Sequence, residues 1–281
     1  MACYAIGVRL AVVFLLLLGC RTEAKHVPGG AGRVVSLTPS ATEVMAALGA
    51  TSMLIGVDEY SIYPPEVTKL PKVGSFLAPN LETIVRLAPS LVIVDDVHGS
   101  AAGALGDAGI ATVACAIHSL PDVKKALSTV GERIGKRADA ERVVAEIDAA
   151  LDAAAARRPA RGPRVLAIIE REAGGVGNLI GAGPGSWIDE LLAVVGGSNV
   201  LLSTGVRYPK LSLEEVVRGQ PDVILDLSFA ARGAGGTAAW KTVDVPATRT
   251  GRVVALTDPY LIAPSPRVKP ALEALAKAIG P

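Results

Sequence analysis

The chain states one pattern twice. Residues 81–94 read LETIVRLAPSLVIV and residues 213–226 read LEEVVRGQPDVILD. Leu, Glu, Val, Arg and Pro recur at matching positions, and most other pairs exchange one apolar residue for another. Two further echoes keep a similar offset. Arg33-Val34-Val35 is answered by Arg164-Val165-Leu166, and EVMAALG at 43–49 by ELLAVVG at 190–196. The spacing is far longer than a solenoid period, so the chain reads as two copies of one α/β unit. A ligand held by such a chain would sit between the copies, because binding sites favour domain interfaces.

The local patterns agree. Apolar runs predict buried strands at Arg33–Leu37, Leu54–Val57, Leu91–Val94 and Ala111–Ile117. Helices are predicted after Pro39-Ser40, with Ser40 or Thr42 as cap and Glu43 in the first turn, where a carboxylate suits the positive helix end. Further helices are predicted at Leu81–Leu87, capped by Asn80, at Ala101–Ala108 and at Leu120–Ile134. Strands alternating with helices at this spacing imply a mostly parallel sheet. Residues 137–158 break the rhythm. They are Ala-rich, lack Gly and Pro, and carry apolar residues at helical period, which predicts one helix roughly 30 Å long. The plan then repeats, with strands at Val165–Ile169, Asn199–Leu201, Val223–Leu227 and Val253–Leu256, and helices at Trp187–Val195, Leu213–Arg218 and Pro270–Ile279. The expected fold is α/β: two Rossmann-like lobes, 33–136 and 159–281, joined by a single long α-helix, 137–158.

The 281 residues suffice for two domains, and with 50% of them hydrophobic there is material for two cores. A formal net charge of +1 excludes a strongly basic nucleic-acid binder. Residues 1–20 read as a targeting segment. Arg9 precedes an apolar run, Leu10–Leu18, too short for a comfortable transmembrane helix, and the run ends Leu-Leu-Gly-Cys. That ending resembles a lipobox, which makes Cys20 the expected lipidation site; plain secretion is the alternative. Residues 21–32 then form a tether that includes His26. Cys115 is left alone in an apolar run, so no intrachain disulfide and no thiol chemistry is expected.

The stretches RVVSLTPSATEVMAALGA, YSIYPPEVTKLPKVGSF, NLETIVRLAPSLVIV, GSWIDELLAVVGGSNV, LSLEEVVRGQPDVIL and SPRV, in this order, resemble the cobalamin- and siderophore-type (class III) substrate-binding proteins of ABC importers. The resemblance spans about residues 33–280. It implies a monomeric, non-catalytic binding lipoprotein, anchored through Cys20 at the bacterial periplasm or the outer face of a membrane. Such a protein takes cobalamin or a related corrinoid in the interlobe cleft and delivers it to a permease and ATPase complex; haem or an iron chelate is the alternative cargo. No catalytic residue, resident cofactor or resident metal is implied, and no nucleic-acid partner.

By the resemblance, Tyr60 is the leading ligand contact. Phe76 and Tyr208 stand where cobalamin binders carry Trp, and each keeps an aromatic face for a planar ligand. Asp95, followed by Asp96, replaces a third Trp. Asp258 stands near an expected Asp, the expected Arg is Ala263, and Tyr260 offers a ring instead. Loop packing is the ordinary alternative for each aromatic. Glu82 and Glu214 hold the same place in the two copies. Each either stabilises a helix start, with Ser212 and Glu215 forming a capping box around a free Glu214, or docks on the permease as the resemblance implies. Asp95, Asp96 and His98 follow one strand as a weak metal motif, since adjacent strand side chains point opposite ways. His118 ends the next strand and reads as a cap or an exposed residue. Tyr60, His98, Tyr208 and Tyr260 are the side chains that can reach a metal within a ligand. GAGPGS at 181–186 precedes a helix without the Lys and spacing of a P-loop, so it reads as a plain turn with Ser186 as cap rather than the phosphate cradle of an enzyme.

Overall fold

The computed structural model describes residues 32–233 and 236–280. The targeting segment and Cys20 lie outside the described residues, as does nearly all of the tether. In the first lobe the strands β1 (Val34–Ser36), β2 (Leu54–Val57), β3 (Leu91–Val94) and β4 (Thr112–Ala114) alternate with the helices α1 (Pro39–Ala47), α2 (Leu81–Arg86), α3 (Gly99–Asp107) and α4 (Leu120–Arg133). The sheet runs β2-β1-β3-β4 with every pair parallel. Helix α5 (Arg137–Ala155) follows, three residues shorter than the Ala-rich stretch predicts. It buries Ala140, Val143 and Ile147 and packs on α4 as well as on two helices of the second lobe.

Beyond α5 come β5 (Arg164–Glu170), β6 (Leu179–Gly181), α6 (Trp187–Val195), β7 (Ser198–Asn199), β8 (Lys210–Leu211), α7 (Leu213–Gly219), β9 (Val223–Asp226), α8 (Pro246–Arg249), β10 (Val253–Ala255), α9 (Pro259–Ile262) and α10 (Val268–Ile279). Their sheet is ordered β10-β9-β5-β6-β8, with β7 beside β5. Strands β5, β7, β9 and β10 are parallel; β6 and β8 form an antiparallel margin that no sequence pattern announces. Helices α6 and α10 are the two second-lobe partners of α5.

The internal repeat has a physical content. Arg33 donates to the Leu87 carbonyl at the end of α2 (2.6 Å), and Arg164 donates to the Gly219 carbonyl at the end of α7 (2.7 Å). A cation there satisfies orphan carbonyls and suits the negative end of the helix. The glycines that close the EVMAALG and ELLAVVG echoes, Gly49 and Gly196, have φ of 63° and 88°. Both occupy the left-handed region that ends a helix without a Cβ penalty. Helix α1 is capped by Thr38, whose hydroxyl accepts from the Ala41 amide, not by Ser40 or Thr42. Pro39 can begin the helix because its missing N–H is an orphan there anyway. Glu43 is therefore not in the first turn.

Candidate functional site

The carboxyl ends of the parallel strands are where open α/β sheets hold ligands. In the first lobe those ends carry Thr38, Asp58–Tyr63, Asp95–His98 and the residues up to His118; in the second they carry Arg171, Ser228, Phe229 and Asp258–Tyr260. The two edges meet. Arg267 lies 3.9 Å from the ring centre of Tyr63 and 4.8 Å from that of Tyr260, and pairs with Glu43 of α1 through a 2.8 Å contact from Nε and a second, shorter one.

Tyr60 is presented by a braced turn. The Ser36 and Thr42 hydroxyls are 2.7 Å apart, and Thr42 is 2.7 Å from the Ser61 hydroxyl, which donates to buried Asp58. Asp58 also accepts from the Tyr60 amide (2.9 Å), and Lys72 donates to the Asp58 and Ser61 carbonyls. Burial raises the Asp58 carboxyl above its ordinary value despite these donors. The Tyr60 ring itself is 63% exposed, so the brace holds up a side chain that the fold does not cover. Phe76 and Leu77 sit on a loop pinched at its base by a bridge between Gly74 and Pro79. Gly74 has φ of 97°, and a Cβ there would meet the Ala78 carbonyl at 2.5 Å, so the pinch needs glycine. Phe76 is half-buried, packed edge-on against His98 at 5.4 Å between centres.

His98 is not a candidate ligand for a metal. Its Nδ1 accepts from the Asp95 amide at 2.9 Å, so Nε2 carries the proton, which it donates to the Phe76 carbonyl at 2.6 Å. It is a buried brace. The residue that joins Asp95 and Asp96 is His118. Strands β3 and β4 run in parallel register, Val94 beside Ala114, which sets the segments after them side by side. His118 Nε2 lies 3.1 Å from Asp96 and 3.5 Å from Asp95. Burial and the neighbouring Asp96 raise Asp95, while Asp96 is pulled down to about 2 by hydrogen bonds from Asp95 and His118.

On the second lobe a pocket of about 400 Å³ is lined by Arg171, Trp187, Tyr208, Phe229 and Ile262 among others. Phe229 is 76% exposed, and Tyr208 and Ile262 are exposed in part. The sequence names Tyr208 here but not Phe229 or Ile262, which lie outside the matching motifs; the only signal for Phe229 is a rare aromatic just past a strand end. Burial raises the Tyr208 phenol, and burial with the nearby Asp258 carboxylate raises that of Tyr260. Asp258 is exposed, and the Tyr260 carbonyl accepts from the Trp187 indole. The larger hollows of about 630 and 750 Å³ lie elsewhere, along α5 and α10 and at the amino ends of β5, β9 and β10, away from these aromatics.

The glycine loop before α6 has no free amides for a phosphate. Gly183 donates to the Arg207 carbonyl, Gly185 to Asp189 and Ser186 to the Gly183 carbonyl, while the Ser186 hydroxyl caps α6. Glu82 is exposed at the start of α2, 3.8 Å from Arg86. Glu214 is exposed at the start of α7, beside a capping box made by Ser212 and Glu215. Its carboxyl is lowered by backbone and Ser212 hydrogen bonds.

The sequence profile described as "Periplasmic binding protein" matches residues 34–260. The chain belongs to this family. A vitamin B12-binding protein of Vibrio cholerae is 28% identical over 273 residues, 95% of either chain. A cobalamin-binding protein of Halobacterium salinarum is 30% identical over 268 residues, 88% of this chain and 69% of its own. Among solved structures, the periplasmic haem-binding protein RhuT from Roseiflexus sp. RS-1 in apo form aligns with a TM-score of 0.79 at 32% identity, covering 89% of this chain and 98% of that one. The periplasmic vitamin B12-binding protein BtuF of Vibrio cholerae aligns at 0.74 with 25% identity, covering 88% and 96%. These likenesses carry the two-lobed α/β fold of the binding-protein family over to this chain. No helix among the described residues is long and apolar enough to cross a membrane.

Proposed function

We propose that this periplasmic binding protein is the non-catalytic, monomeric substrate-binding component of an ABC importer and carries cobalamin or a related corrinoid between its lobes. Lipid on Cys20 anchors it, and the 137–158 stretch acts as the strut between lobes 33–136 and 159–281. The observation that supports a corrinoid is the pairing of exposed aromatic faces with an acidic edge. Tyr60, Tyr208 and Phe229 offer flat apolar area to a macrocycle, with Phe76 and Tyr260 beside them. Asp95, Asp96 and Asp258 are acceptors, the partners that a ring fringed with amide N–H groups takes. Three arginines near this edge are committed, while Arg207, beside Tyr208, is exposed. Arg171 is paired with Asp226, Arg267 with Glu43, and Arg232 with the Thr257 carbonyl and the Phe229 ring. A macrocycle bearing carboxylates would find Arg207 as its exposed cation here. Haem is the second reading, supported by the 32% identity to a haem-binding protein and by phenols at Tyr60, Tyr208 and Tyr260.

The test is an absorbance and fluorescence titration of the mature protein with cobalamin, cobinamide and haem in parallel. Sub-micromolar binding of a corrinoid is expected, and Tyr60→Ala should weaken it about tenfold, the equivalent of about 1.4 kcal/mol. Binding of haem alone, with a shifted Soret band, overturns the corrinoid assignment and leaves the importer role. A second expectation concerns docking. Glu82→Ala combined with Glu214→Ala should leave corrinoid affinity unchanged and weaken association with the permease, because two charges at a fixed separation set orientation and encounter rate. Loss of ligand affinity in that variant contradicts the assigned role.

A further inference from the structure

We infer that Asp95, Asp96 and His118 form a site for one borderline divalent metal ion, of the Zn²⁺ or Co²⁺ class, at the carboxyl edge of the first sheet. One carboxylate oxygen from each Asp and one imidazole nitrogen lie within 4.8 Å of one another. Bonds of 2.0–2.2 Å place neighbouring donors about 3.0 Å apart in an octahedral centre and about 3.4 Å apart in a tetrahedral one. The His118 nitrogen is 3.1 Å from the Asp96 oxygen and 3.5 Å from the Asp95 oxygen, both within the range that donors to one ion span. Asp96, at 61% side-chain exposure, is free to turn onto an ion.

Two of the three donors are positioned before any ion arrives. Asp95 is buried at the end of β3; its carboxylate accepts from the Val97 amide, and its own amide donates to His98 Nδ1. His118 is anchored through its amide to the Asp122 carboxylate, which also accepts from the Ser119 hydroxyl ahead of α4. Donors held by such outer contacts bind metal more tightly than mobile ones. An imidazole in the set favours Zn²⁺ or Co²⁺ over Mg²⁺ or Ca²⁺, which prefer oxygen alone. Three protein donors leave coordination positions for water or for a donor atom on a molecule in the cleft. The alternative is an ion pair in which His118 merely offsets two carboxylates. That pair needs a proton on the imidazole, whereas metal binding needs that nitrogen free.

Titration of the mature protein with Co²⁺ and with Zn²⁺ separates the two. One equivalent of Co²⁺ is expected to bind at neutral pH with visible ligand-field bands, and Zn²⁺ to displace it. Calorimetry should return the same stoichiometry, with affinity falling as the solution is made acid. His118→Ala and Asp96→Asn should each weaken binding more than about tenfold. Both positions are at least a third exposed, so their variants fold; circular dichroism checks this. No saturable binding, or binding that both variants leave unchanged, overturns the site. Neither result decides the importer role, and the corrinoid and haem titrations read the cargo separately.

Discussion

Replacing Arg171 with alanine is expected to cost about 3–5 kcal/mol of stability, a drop in Tm of roughly 6–20 °C for a fold of this size. The side chains of Arg171 and Asp226 are completely buried and meet at 2.7 Å. Asp226 also accepts from the Trp240 indole at 2.9 Å and from the amide and hydroxyl of Ser228. Arg171 spends its other donors on the carbonyls of Glu172, Gly175 and Gly236. The group therefore ties the ends of β5 and β9 to the loops that follow them. Alanine leaves a buried carboxylate without its cation and several carbonyls without donors, and each unpaired group pays its desolvation in full. Because Phe229 hangs from this scaffold, ligand affinity should fall with stability. Urea unfolding of the purified variant measures the first and the corrinoid titration the second. A loss below about 1 kcal/mol would mean that water replaces the missing donors.

Elements whose cause is local were legible in the sequence. Helix α6 begins and ends where its cap and its closing glycine predict, and the Ser212 capping box was readable from four residues. The repeat also pointed at paired features, such as Arg33 and Arg164 on the ends of α2 and α7. What escaped depends on which strands lie side by side. His98 is three residues from Asp95 and so reads as its partner, but the imidazole that reaches both carboxylates comes from the segment after the neighbouring strand, at His118. Strands β6 and β8 are three and two residues long, too short to show a period. Glu43 reads as a helix-start carboxylate only if Ser40 or Thr42 is the cap; the cap is Thr38, two or four residues earlier, and the partner of Glu43 lies more than two hundred positions away.

That partner carries the second large effect: Arg267→Ala is expected to cost about 2–3 kcal/mol, between the values for exposed and for fully buried ion pairs. The pair is mostly but not fully covered, with side-chain exposures of 19% for Arg267 and 9% for Glu43. It joins α1 of the first lobe to the start of α10 in the second, where the Ser265 hydroxyl also donates to Glu43. The repeat supplies its counterpart. Glu190, which answers Glu43 in the sequence echo, accepts from the Leu120 amide at 2.6 Å and so caps α4 of the opposite lobe. Each lobe thus sends the same repeat glutamate across to the amino end of a helix in the other. Arg267 differs from a bare charge because its planar group also stacks between Tyr63 and Tyr260, one from each lobe. Lysine keeps the charge and loses the fork and the stack, so Arg267→Lys should recover less than half of the lost stability. With the clasp removed the lobes separate more readily, and a ligand held between them should dissociate faster. Thermal unfolding and stopped-flow release of bound corrinoid read the two effects. Full recovery by lysine would reduce the clasp to simple charge pairing, and an unchanged release rate would separate it from the cleft.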